Sequence, residues 1–172
     1  MTKKVGLVIA SKGFQPVEYG TPKQLLEDAG FLVVTISDAT GEAVTKDGSV
    51  AQVDMVLQDV DPKEFDGIFV IGGPGALDHL DNQETNRIVN EMMVLKKPYG
   101  AICISPRILA KAHVLIGKKA TGWNKDGELE TIFPQNNVTY APEPVVIDGN
   151  IVTADGPSSA EAFGKAIISV LQ

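Results

Sequence analysis

Three short apolar runs constrain this chain more than any other feature: KKVGLVIA at 3–10, FLVVTIS at 31–37 and GIFVI at 67–71. A strand with one face in water alternates apolar and polar side chains, whereas these runs are apolar almost throughout. Such runs belong to strands buried on both faces, the environment of a parallel sheet covered by helices on each side. The intervening segments supply the helices. Residues 16–29 begin with Pro16, suited to a first helical position, place Leu25, Leu26 and Ala29 on one face and stop at Gly30, despite Gly20 and Pro22.

The same alternation continues. Residues 83–96 predict a helix with Ile88, Met92 and Leu95 on one face, PYGAIC at 98–103 a further strand, and PRILAKAHVL a helix after it. SSAEAFGKAIISVL closes the chain as an amphipathic helix with Ser158 or Ser159 as its N-cap. Asp47-Gly48 and Asp148-Gly149 stand between alternating residues and mark two hairpins, the first expected off the main sheet. The stretch from TGW at 121–123 to 137 is polar and carries no element signal. A chain of 172 residues can build one sizeable core and is short for two, so a single domain over 1–172 is expected.

Composition narrows the partners. Fifteen Lys and Arg against twenty-two Asp and Glu leave a net charge of −7, which repels polyphosphate backbones and anionic lipid alike, so neither nucleic acid nor membrane is an expected partner. The apolar runs are shorter than a bilayer span and MTKKVGLVIASKG has no signal-cleavage region, so a cytoplasmic location is expected. One cysteine makes no internal disulfide and no multi-thiol zinc site, and no metal is expected.

Parallel sheets bind ligands beyond the carboxyl ends of their strands, which singles out three loops: SKGFQPVE, GGPG and CISP. Cys103 stands where a strand passes straight into a helix, and helix N-termini stabilise a thiolate, the nucleophilic form. The alternative is a buried cysteine packing as a small hydrophobe. The GGPG loop lacks the dinucleotide fingerprint, which would follow the first strand. Its Gly73 amide and the Ile104 amide form a candidate oxyanion hole, Pro74 having no N–H, and a merely tight turn is the alternative. Glu18, in the first turn of the helix after the first strand, comes to the same edge of the sheet. Buried there it would hold its proton more tightly and could donate it to sulfur or to an oxyanion; the alternative is an acid suited to a helix's first turn.

PVEYGTPKQLLEDAG, FVIGGPGA, AICISPRILAKA and VVIDGNIVTADGPSSAEAFGKAI together resemble the DJ/ThiJ/PfpI superfamily over nearly the whole chain. That resemblance implies a flavodoxin-like three-layer α/β sandwich with a mostly parallel sheet, a nucleophile elbow and a homodimer. It implies Cys103 as nucleophile, Glu18 as its proton partner and Gly73 and Ile104 as oxyanion amides, with Gly72, Trp123 and Pro157 as pocket candidates. The sequence departs from the pattern at three places. Ile104 stands where peptidase members carry His, Trp123 where glyoxalase- or deglycase-type members carry a pocket His, and Asp155 where some carry Arg before the Gly-Pro. His79 is expected to lie at the surface or to stabilise a loop, and His113 to be structural. Two functions follow: a cysteine-dependent enzyme acting on a small carbonyl or other electrophile, or a redox and stress protein working by oxidation of Cys103. Flavin or nucleotide binding would rest on fold analogy alone, and no cofactor is expected.

Overall fold

The computed structural model describes residues 1–172. Five parallel strands carry the architecture: β1 (Lys4–Ile9), β2 (Leu32–Ser37), β6 (Gly67–Val70), β7 (Tyr99–Ile102) and β11 (Ile151–Ala154). In space they run β2-β1-β6-β7-β11, the flavodoxin-like order in which the first strand pairs with both the second and the third. The short β5 (Met55–Val56) extends one edge in parallel, and β10 (Val145–Asp148) closes the other antiparallel to β11. The 67–71, 98–103 and 148–149 expectations therefore hold, and the second hairpin forms the sheet's antiparallel margin.

The apolar runs bury alternate residues on opposite faces. Val5, Leu7 and Ile9 of β1 enter one core with Phe69, Phe163 and Ile167, while Val8 enters the other with Ile68, Val70, Ile88 and Leu109. Helices α1 (Pro16–Asp28) and α6 (Ala160–Leu171) cover the first face. On the second lie α3 (Gln83–Val94), α4 (Pro106–Lys111) and α5 (Leu129–Gln135). Phe163 meets Phe69 edge to face at 6.2 Å, and truncating either ring to alanine would cost about 3–5 kcal/mol. No helix is long and apolar enough to cross a membrane.

Three local expectations are corrected, and a fourth, the N-cap of the last helix, holds in position but not in its capping bond. The helix after Cys103 stops at Lys111 rather than running on through Leu115, because His113 takes a left-handed backbone at φ 62° and turns the chain away. Leu95 caps α3 from an exposed position instead of packing on its apolar face. Ser159 occupies the cap of α6, yet its hydroxyl is committed to Asp155 at 2.5 Å and makes no capping bond. The segment after Trp123 contains α5, which Leu129 and Phe133 anchor in the core. The hairpin of β3 (Glu42–Val44) and β4 (Val50–Gln52) lies off the main sheet as expected, and α2 (Ala76–Leu80) follows the GGPG loop.

Candidate active site

Loops after β1, β6 and β7 converge where the strand order reverses, between β1 and β6. Pro16 opens α1, and the Gln15 side chain caps it, accepting from the amides of Val17 at 2.6 Å and Glu18 at 2.9 Å. That cap fixes the first turn and directs Glu18 inward, where it is 0% exposed. Glu18 Oε2 accepts from the Gly72 amide at 3.0 Å, and Oε1 is buried without a hydrogen-bond partner.

Cys103 is a non-glycine residue at φ 64°, a conformation that costs on the order of 1 kcal/mol or more and needs its surroundings to impose it. Those surroundings are specific. The Cys103 amide donates to Ala154 O at 2.9 Å, its carbonyl accepts from the Trp123 amide at 2.7 Å, and the Ser105 hydroxyl donates to Ile71 O at 2.7 Å. The elbow is thus tied to β11, to the 121–123 segment and to the end of β6.

Two glycines make the convergence possible. A Cβ at Gly72 would lie 2.6 Å from both Cys103 Cβ and Glu18 Oε2, so only glycine lets thiol, carboxyl and loop meet. Gly73, at φ 129°, would drive a Cβ to 2.4 Å from Gly13 O. The Gly73 and Ile104 amides make no backbone hydrogen bond and act to lower the proton affinity of the Cys103 thiol.

Burial pushes the Glu18 carboxyl up to about 7, against the lowering effect of hydrogen bonds from the Cys103 thiol and the Gly72 amide. The thiol moves the same way. Burial raises it, the Glu18 charge and hydrogen bond raise it further, and the Ile104 and Gly73 amides only partly counter them. This corrects the thiolate expected from the helix terminus: α4 is short, begins at a proline without an N–H, and its amides lose to desolvation and a neighbouring carboxylate. Two of the three raising causes vanish once Glu18 takes a proton, so the pair titrates as a unit.

The half-buried sulfur faces a cavity of about 410 Å³ lined also by Gln15, Gly73, Pro74, Leu77, Asp78, Ile104 and Trp123. Glu18 meets the thiol without lining this cavity. Gly72 is buried and likewise does not line it, so its place is spacing and donation to Glu18 rather than pocket wall. Pro157 lies in a separate polar groove of about 350 Å³ with Tyr140, Glu143 and Asp155, joined to the first cavity by Trp123, which lines both. His79 is outside the thiol cavity, its Nδ1 2.8 Å from Asp38 Oδ2, and His113 is exposed. No three His, Cys, Asp or Glu side chains are grouped to hold a metal ion.

Gln15, Leu77, Asp78 and the nearby Arg107 were not singled out from the sequence. Gln15 carried a signal, being a side chain able to cap the helix at Pro16, and Arg107 another, falling one turn beyond the cysteine on the elbow helix.

A flavodoxin-like α/β sandwich with an elbow cysteine beside a buried glutamate is a defined class of protein. The chain belongs to the DJ-1/PfpI family, whose model matches residues 3–170. An uncharacterized protein of Methanocaldococcus jannaschii, MJ0967, is 34% identical over 98% of this chain and 82% of its own length. YraA of Bacillus subtilis, provisionally named a cysteine protease, is 31% identical over the full length of both. The ThiJ/PfpI domain protein of Brachyspira murdochii superposes with a TM-score of 0.92 at 30% identity, covering 99% of this chain and 96% of that one. Oxidized Toxoplasma gondii DJ-1 gives 0.86 at 25% identity, covering 99% and 91%.

Proposed function

We propose that the protein is a cysteine-dependent enzyme acting on small reactive carbonyl compounds, in the manner of a glyoxalase or deglycase. The observation that carries this reading is the fully buried Glu18, with a carboxyl poised at about 7 beside the strained Cys103. A neutral thiol needs a base at the moment of attack, and a carboxylate of that affinity beside it is matched to the task. Sulfur adds to the carbonyl carbon as the S–H proton passes to Glu18. The electron pair of the C=O bond moves to oxygen, where the Gly73 and Ile104 amides stabilise it. Glu18 then returns the proton to that oxygen, leaving a neutral hemithioacetal and a carboxylate. Amide cleavage is a poorer fit, because Ile104 offers no imidazole to protonate an amine leaving group. The expected result is methylglyoxal turnover that disappears in both Cys103→Ser and Glu18→Gln; unchanged turnover in either variant rejects the assignment.

The second reading, redox sensing, is favoured by the half-exposed lone thiol and by the solved structure of the Toxoplasma DJ-1 being that of an oxidized form. Peroxide would convert the thiol to a sulfenic acid with release of water, and a second equivalent to a sulfinic acid, whose oxygens suit the same amides and a protonated Glu18. Intact-mass analysis after mild peroxide should place one or two added oxygens on Cys103; oxidation confined to methionines removes this reading.

A further inference from the structure

We propose that Arg107 positions Trp123 as a wall of the thiol cavity and thereby sets which electrophiles reach Cys103, an inference that rests on Cys103 being the nucleophile. Arg107 lies on α4, four residues beyond Cys103, and is 4% exposed. Its hydrogen bonds all go to one strap of chain. Nη1 donates to Glu128 Oε2 at 3.0 Å, and Nη2 donates to Asp126 at 2.8 Å and 3.0 Å and to the Trp123 carbonyl at 3.1 Å. The guanidinium carbon also lies 5.5 Å from the centre of the Trp123 ring, within cation–π range. The circuit closes through the Trp123 amide, which donates back to the Cys103 carbonyl at 2.7 Å.

The strap between β8 (Lys119–Ala120) and α5 has no helical or strand hydrogen bonding of its own. Bonds with groups outside the strap therefore help set the ring's place: one to the Thr153 hydroxyl oxygen, one to the Cys103 carbonyl, and four from the Arg107 guanidinium. Stability alone is a weak reason for this arrangement, since a buried guanidinium is costly to desolvate and Nε here has no partner, whereas an apolar side chain would pack in a core helix. What the arginine adds is direction. Its planar fork holds two carboxylates and a carbonyl in one orientation, which an ammonium cannot reproduce. Because Trp123 lines both the thiol cavity and the polar groove, the placement of its side chain governs whether the space beside the sulfur ends at this residue or opens past it. The wall favours compact electrophiles over bulky ones.

The test compares alkylation of Cys103 by iodoacetamide, which is small, and by N-phenylmaleimide, which is bulky, alongside acrylamide quenching of Trp123, the protein's only tryptophan. In Arg107→Met the maleimide-to-iodoacetamide rate ratio should rise roughly tenfold and quenching should increase. Arg107→Lys should not restore the ratio. Asp126→Ala combined with Glu128→Ala removes the fork's two carboxylate partners from the exposed side and should shift ratio and quenching in the same direction, which keeps the idea testable if the core variant fails to fold. Equal changes in both rates, or unchanged quenching in a folded variant, would overturn it. Wild-type protein inert to both reagents would instead reject the nucleophile on which the inference rests, and the selectivity role with it.

Discussion

Two carboxyl groups stand near the carboxyl ends of neighbouring strands, Glu18 beyond β1 and Asp38 just after β2, and their proton affinities are shifted in opposite directions. Burial acts on both to favour the neutral form. Asp38 overcomes it with donors: the Ser11 amide at 2.8 Å, the His79 ring at 2.8 Å and the Ser11 hydroxyl at 2.9 Å. Together these hold its carboxyl below the usual range. Glu18 is more deeply buried, has one backbone donor and leaves an oxygen unpaired, and its carboxyl rises to about 7. Donor supply separates the two sites. The well-supplied acid ties the loop after β1 to α2, while the starved one is left with a proton to exchange.

Breaking the Glu18 side should give the largest effect. Alkylation of Cys103 should accelerate as pH rises through about 7, where Glu18 becomes a base. Glu18→Gln should lose that inflection and react roughly 100-fold more slowly at pH 8. A profile identical in the two proteins would remove the distinction between the carboxyls.

The next effect is on stability, with the sign set by the raised affinity. The folded carboxyl holds its proton to about 7 against an ordinary value of 4.5, so the group's contribution is complete below 4.5 and is lost as pH rises through 7. By pH 8 ionised Glu18 should cost on the order of 2–4 kcal/mol. Glu18→Gln should therefore be the more stable protein in urea unfolding at pH 8, with little difference at pH 4.

Asp38→Asn should give the smallest change and the opposite pH dependence. Its lowered carboxyl contributes above the unfolded value of 3.8, and the contribution fades as pH falls below it. Solvent reaches this side chain, so the loss at pH 7 should stay under about 1 kcal/mol in urea unfolding and shrink toward pH 3. A larger loss for Asp38→Asn than gain for Glu18→Gln at pH 8 would reverse the comparison.

Much of the scaffold was legible because its signals are local. Apolar runs without alternation identified strands buried on both faces, and Pro16, Gly30 and the two Asp-Gly pairs punctuated the elements where the structure has them. Helix α5 was not legible, since Leu129 and Phe133 are its only buried residues, set among polar neighbours and a proline. The termination of α4 was hidden too, because a left-handed His113 has no sequence marker comparable to glycine. At the site, the residue types at the strand ends could be picked out individually. The thiol's proton affinity is not legible in the sequence, because a helix terminus is visible there and desolvation is not.

The chain's own order of residues determined that Glu18, Gly72, Gly73 and Cys103 share one edge, since parallel strands deliver all their carboxyl ends to the same side of the sheet. Only the tertiary structure decided where the protons sit and what walls the sulfur. Both depend on groups that arrive from distant parts of the chain: a Gly72 amide for Glu18, an Ala154 carbonyl that helps hold the elbow, and a Trp123 ring fixed by Arg107.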